Sequence, residues 1–141
     1  MREAFVTLHP LAVIVVALIG FVLGWAWYSP LLFVRAWMKE MSFTEQQMKS
    51  MKPSKGMLML GSTILINLVS TTALAFFINE HHIATWSGGL KMGLLCGVGF
   101  VATRQTVNSI FQMKSLKLYL IVTGYDVCLF ALQGAILGVW R

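Results

Sequence analysis

Long uncharged apolar stretches are the feature that most restricts how this chain can fold. After Arg2 and Glu3 the sequence runs for over 20 residues without a charged side chain, and three more mainly apolar stretches follow. A continuous apolar run of about 20 residues is typical of an α-helix that crosses the ~30 Å hydrocarbon core of a membrane. Membrane strands instead alternate in period 2 over about 10 residues, and no such alternation is present. We therefore predict an all-α integral membrane protein.

Four transmembrane helices are predicted, packed as a bundle in a single domain over residues 1–141. At about 1.5 Å per residue, each apolar stretch is long enough to cross the membrane. Their approximate bounds are 10–33, 57–78, 86–111 and 116–140. The loop 34–56 contains Ser42 followed three residues later by Glu45, a spacing that predicts a capping box and a short amphipathic helix. An ordinary connecting loop on the lipid headgroups and a docking or anionic-lipid site both fit this segment.

The composition agrees with a membrane protein and disfavours two other classes. Only 11% of the residues are charged, against about 25% in a typical soluble domain. The net charge of +6 comes from basic residues near the ends of the apolar stretches, so we expect no nucleic-acid partner. Cys96 and Cys128 lie inside apolar stretches, where a thiol behaves as a small hydrophobic group, and we expect no disulfide.

Basic residues predict the orientation of the chain. Lysine and arginine are concentrated in the connections between spans one and two and between spans three and four, and this bias marks the cytoplasmic side. Arg2, Lys91 and Arg141 are the basic residues of the opposite side. Both termini are therefore expected outside, with both basic connections inside. The seven inner residues are Arg35, Lys39, Lys49, Lys52, Lys55, Lys114 and Lys117.

Arg104 is the most unusual residue of the third span, because an isolated arginine near the middle of a bilayer costs at least ~2.5 kcal/mol. Asp126 is the only acidic residue within any predicted span. In an antiparallel hairpin that turns near Ser115, both residues lie eleven positions from the turn and so at the same depth. We predict a buried Arg104–Asp126 ion pair, which would give both groups hydrogen bonds where water is scarce.

Further polar residues are predicted to join this pair in one cluster. Gln105 is adjacent to Arg104, and Asn108 follows one helical turn later. Asn67 in the second span lies at a similar depth, and Thr63, Ser70 and Thr71 share its face. Tyr125 precedes Asp126, and Gln133 lies two turns further along that face.

Two functions remain open for this polar cluster. One is a small transport or permeation protein in which the cluster contributes to the pathway for an unidentified substrate or ion. The other is a non-transporting structural or accessory protein that binds lipid or a partner subunit, with the cluster acting as a clamp between helices.

Glycines in the third and fourth spans recur every four residues, a spacing that lets helix backbones approach closely. The glycines lie at Gly89, Gly93, Gly97, Gly134 and Gly138. Packing within the bundle and an interface with other copies of the chain both fit this spacing. We expect a homo-oligomer surrounded by membrane lipid.

No nucleophile–base pair or phosphate-binding loop is present, so we expect no enzymatic activity and no cofactor. His81 and His82 are adjacent and therefore do not share a helix face, and no cysteine or further carboxylate joins them. We expect no metal site.

Several longer segments resemble domain-of-unknown-function family 1761, a family of small bacterial and fungal membrane proteins. They are GWAWYSPLLFVRAWMKEM (24–41), GVGFVAT (97–103), SLKLYLIVTGYD (115–126) and GAILGVW (134–140). The resemblance covers nearly the whole chain and implies a polytopic membrane protein; we expect it in the inner (plasma) membrane of a bacterium. In the family pattern a histidine commonly stands at Asp126 and a small or polar residue at Arg104. The family has no established activity, so the resemblance implies no catalytic residue.

Overall fold

The computed structural model describes residues 9–140, and this part of the chain consists of helices joined by short turns and loops, with no β-strand. Arg2 and Arg141, which entered the orientation prediction, lie outside the described residues. The helices are α1 Pro10–Trp27, α2 Val34–Glu40, α3 Glu45–Lys49, α4 Pro53–Glu80, α5 Trp86–Cys96, α6 Thr103–Phe111 and α7 Leu116–Leu137. A π-helical turn, the π segment Gly97–Ala102, joins α5 to α6 without a break.

The prediction of an all-α chain is confirmed, but the predicted count of four membrane-length helices is not met. Among residues 9–140, three helices are long and apolar enough to cross a membrane: α1, α4 and α7. The predicted third span is helical from Trp86 to Phe111, yet the π segment divides it into parts of 11, 6 and 9 residues. None of these parts is long enough to cross the membrane by itself.

Residues at the helix starts explain why the helices begin where they do. Pro10 and Pro53 occupy the first position of α1 and α4, where a missing backbone N–H costs nothing. The hydroxyls of Thr85 and Ser115 each accept a hydrogen bond from a backbone N–H in the first turn of α5 and α7.

The capping box was predicted at the wrong pair of residues. Thr44 and Gln47 form it at the start of α3, each side chain bonded to the other's backbone N–H. Ser42 instead has φ 51°, a left-handed conformation, just after α2 ends. An N-cap residue needs an extended backbone, so Ser42 cannot begin α3.

Helix α7 lies at the centre of the bundle, in contact with α1, α4 and α5. The buried core between these helices is apolar and includes Val16, Leu74, Ile78 and Leu137. Many large apolar side chains of the long helices point outwards instead. This arrangement is expected of helices whose outer surfaces meet lipid rather than water.

Glycines set the distance between α5 and α7. A Cβ atom added to Gly89 would overlap the backbone of Gly134, and one added to Gly93 would overlap the carbonyl group of Phe130. From the other side, Cβ atoms added to Gly134 and Gly138 of the α7 end would meet the backbone of α5 or of Thr85, which comes just before α5. Both helices therefore touch backbone to backbone, as small residues at four-residue spacing allow.

The glycine contact weakens towards the π segment. Gly97 is also buried, but its added Cβ would lie 3.2 Å from the Cα of Val127. That separation is wider than the overlaps at Gly89 and Gly93, so α5 and α7 are closest at the α5 start.

Candidate functional site

The predicted ion pair between Arg104 and Asp126 does not form within the chain. No buried ion pair is present among residues 9–140, and Arg104 is exposed on the surface of α6. Asp126 is half-buried on α7, and its Oδ2 accepts a hydrogen bond of 3.1 Å from Nε2 of Gln105. A neutral amide therefore occupies the place that the sequence assigned to the guanidinium group.

The π segment explains why Gln105 replaces Arg104. A straight α-helix with Gly97 on its inner face would also turn residues 101, 104 and 108 inwards. Because a π turn closes its hydrogen bond at i+5, it takes more residues per turn and rotates everything that follows. The less exposed positions after Gly97 are accordingly 101, 102, 105 and 109, and Arg104 and Asn108 point outwards.

A second polar group, the amide cluster, connects three helices in the bundle centre and consists of Asn67, Thr71 and Gln133. Nε2 of Gln133 on α7 donates to Oδ1 of Asn67 at 3.0 Å and to Oγ1 of Thr71 at 2.9 Å, both on α4. Nδ2 of Asn67 donates to the carbonyl oxygen of Ala17 on α1 at 2.8 Å. The exposed fractions are 0% for Gln133 and Thr71 and 8% for Asn67, so the cluster is closed to solvent.

Gly20 of α1 allows this close packing. A Cβ at Gly20 would lie 2.8 Å from Nε2 of Gln133 and 3.0 Å from Nδ2 of Asn67. A larger residue would therefore displace the two amide side chains or α1 itself. Oε1 of Gln133 is buried and has no hydrogen-bond partner among the described residues.

Aromatic side chains lie between α1 and α7 on the side of the amide cluster towards the basic end of the bundle, the end where α2 contacts the start of α7. Tyr125 packs against Tyr28 and Trp27, with ring centroids 5.6 Å and 6.2 Å apart. Nε1 of Trp27 donates to the carbonyl oxygen of Ile121 at 3.1 Å and so joins α1 to α7. The Tyr125 hydroxyl is 3.5 Å from the carbonyl oxygen of Gly20, a long hydrogen bond.

The residues of the predicted cluster thus lie in two separate groups and, for two of them, on the outer surface of α6. Gln105, Asp126 and Tyr125 lie towards the basic end, whereas Asn67 belongs to the amide cluster with Gln133. Arg104 and Asn108 lie on the outer surface of α6. Gln133 was predicted to lie along the face of Asp126, whereas the role of Gly20 in the amide cluster was not predicted. A glutamine in an otherwise apolar span is the sequence signal that points to Gln133.

No group of three or more histidine, cysteine or carboxylate side chains that would suit a metal ion is present in residues 9–140. Cys96 and Cys128 are both free thiols.

Three apolar helices of membrane-crossing length, packed around buried amides, suggest the class of small polytopic α-helical membrane proteins. Within that class the chain belongs to the family described as protein of unknown function (DUF1761), whose family model matches residues 11–138. Neither a curated protein nor a solved structure matches the chain.

Proposed function

We propose that this protein is a small transport or permeation protein that uses the carboxylate of Asp126 to bind the transported cation or proton. The observation that supports the proposal is the environment of this carboxylate. Asp126 lies inside the membrane-length helix α7, is half-buried, and has Gln105 as its only hydrogen-bond partner among the described residues.

The energetics of a carboxylate inside a membrane support this proposal. An aspartate at the centre of a membrane helix costs ~2.5–3.5 kcal/mol on insertion scales. A fixed arginine partner would offset that cost, but it would also leave no charge for a substrate. Gln105 contributes one hydrogen bond and no charge, so Asp126 needs a proton or a small cation from solution to become neutral. Such reversible neutralisation is what an ion pathway requires.

The topology of the sequence analysis is part of the proposal. The helical run from Trp86 to Phe111 serves as the fourth span, since its combined length of 26 residues exceeds the ~20 that a bilayer needs. The basic end faces the cytoplasm, both termini lie outside, and the membrane is the bacterial inner membrane.

A homo-oligomer is also part of the proposal. The side chains of Arg104 and Asn108 lie on the outer face of α6 and have no hydrogen-bond or ion-pair partner among the described residues. Polar side chains at membrane depth face a protein interior or a water-filled cavity rather than lipid. A second copy of the chain packed against α6 would provide that environment.

Ion flux in proteoliposomes tests the function. The purified chain is reconstituted, gradients of H⁺, Na⁺ and K⁺ are imposed in turn, and the flux is compared for the parent, Asp126→Asn and Glu45→Gln. Asparagine keeps an oxygen that accepts from Gln105, and Glu45→Gln removes a carboxylate from the exposed helix α3 as a matched control. We expect Asp126→Asn to lower the flux at least tenfold, equivalent to ~1.4 kcal/mol of ion-binding free energy.

Two results would contradict the proposal. One is a parent flux no greater than that of protein-free liposomes for all three ions. The other is equal flux in the parent and in Asp126→Asn.

The alternative function, a structural or accessory protein held together by an interhelical clamp, is favoured by the amide cluster. Asn67, Thr71 and Gln133 are closed to solvent and bonded to one another, which is the arrangement of a clamp rather than of a pathway. A chain without flux whose stability nevertheless depends on Gln133 would support this alternative.

A further inference from the structure

A groove of about 720 Å³ lies at the basic end of the bundle, between the end of α1, helix α2 and the start of α7. Its walls are apolar and include Trp27, Phe33, Leu116 and Leu120. Lys117 is the one charged residue in the lining, and Gly124 lies at the deeper part of α7.

The groove is short enough to lie within one leaflet of a bilayer. Lys117 and Gly124 are seven residues apart on α7, which is about 10 Å at the helical rise. Half of a typical hydrocarbon core is about 15 Å thick. If Lys117 lies at the headgroup level, a hydrocarbon chain in the groove stays within that leaflet.

The charge around the groove favours an anionic headgroup. Lys117 is exposed and has no ion-pair partner among the described residues, and the same is true of Lys114 and Arg35. Arg35 adjoins Ala36, which also lines the groove. Glu40, the nearby carboxylate, accepts a hydrogen bond from the hydroxyl of Ser115. Basic groups at the end of a membrane segment attract acidic lipids, by about 1 kcal/mol each.

We propose that this groove binds one acyl chain of an anionic glycerophospholipid, with the phosphate of that lipid at the ammonium group of Lys117. The site is separate from Asp126 and does not depend on the proposed transport function. Gly124 leaves room for the chain, because a Cβ there would meet only Trp27, at an ordinary contact distance of 3.5 Å.

A second groove serves as an internal comparison. It holds about 440 Å³ on the outer surface of α4, and its lining, which includes Leu68, Thr72 and Phe76, contains no basic residue. The second groove therefore has no charged side chain that could distinguish one lipid headgroup from another. Of the two grooves, only the one that contains Lys117 is therefore expected to select an anionic headgroup.

Native mass spectrometry tests the proposal with phosphatidylglycerol and phosphatidylcholine of identical acyl chains in competition. The parent should retain phosphatidylglycerol preferentially. Lys117→Gln should lower this preference about fivefold, the effect of one basic group near the headgroup. Lys49→Gln, a change of the same charge on exposed α3, should leave it unchanged. Gly124→Leu should fill the groove and remove the selectively bound lipid.

A second filling variant and a phosphate control keep the test decisive. Leu120→Phe enlarges an exposed side chain of the same groove and replaces Gly124→Leu if that variant does not fold. An unchanged preference in Lys117→Gln, or an equal loss in Lys49→Gln, would overturn the proposal. So would undiminished selective binding in a folded groove-filling variant. Stabilisation of the parent by inorganic phosphate alone, equal to that by phosphatidylglycerol, would show a simple anion site instead.

Discussion

Replacement of Gly93 by alanine should weaken the bundle at the contact between α5 and α7. The added Cβ would lie 2.8 Å from the carbonyl carbon of Phe130 and 3.1 Å from the Cα of Ala131, and closer still to the Phe130 oxygen. Carbon atoms in contact prefer about 3.5–4.0 Å, so the two helices must separate by up to ~1 Å. The obstacle is backbone rather than a side chain, and it cannot rotate away.

The size of the effect follows from that separation. A gap of 0.5–1 Å forfeits roughly a quarter to a half of the dispersion energy of each contact across the interface. Overpacking of this kind typically costs ~1–3 kcal/mol. We therefore expect Gly93→Ala to lower the free energy of unfolding by about 2 kcal/mol.

The assay is reversible unfolding in lipid or mild detergent, followed by circular dichroism, with Gly61→Ala as the matched control. Gly61 lies within α4, and a Cβ there meets nothing within 4 Å. The control variant should be neutral or up to ~1 kcal/mol more stable, since alanine favours a helix over glycine. Equal stability of Gly93→Ala and Gly61→Ala would refute the backbone contact between α5 and α7.

Two further variants test the polar interior and the π segment. Gln133→Leu removes two hydrogen bonds within the amide cluster, each worth ~0.6 kcal/mol in membrane proteins. The free energy of unfolding should therefore fall by ~1 kcal/mol, and an unchanged value in the same unfolding assay would contradict this expectation. Deletion of Gly99 should convert the π segment into a plain α-helix and leave Gln105 at Asp126, because it removes the one residue by which a π turn exceeds an α turn. A double-mutant cycle with Gln105→Leu and Asp126→Asn should then show a coupling energy above ~0.5 kcal/mol in both the parent and the deletion variant, and a cycle with Arg104→Gln and Asp126→Asn should show none in either. Coupling between Arg104 and Asp126 in the parent would refute the role of the π segment.

The length of the apolar stretches made the helices and their order predictable. This signal is spread over some 20 residues, so no single residue decides it. The glycine spacing of α5 and α7 was equally readable, since Gly89 and Gly93 repeat at one helical turn. Both signals depend only on the regular geometry of the α-helix.

The partner of Asp126 was predicted incorrectly because the prediction assumed that regular geometry throughout. A π turn of six residues leaves no clear signal in GVGFVA, yet it rotates α6 and exchanges Arg104 for Gln105 at the inner face. The position of the amide cluster also depends on Gly20, whose role is visible only when α1, α4 and α7 are packed together.

The central claim, that Asp126 binds a proton or cation, has a direct spectroscopic test because Asp126 is the only aspartate in the chain. Protein labelled with ¹³C at the aspartate carboxyl reports on this group alone when its infrared or NMR signal is recorded in lipid bilayers. We predict that the signal changes as the pH, or the Na⁺ or K⁺ concentration, is varied. A signal that stays constant across all three titrations would contradict the account.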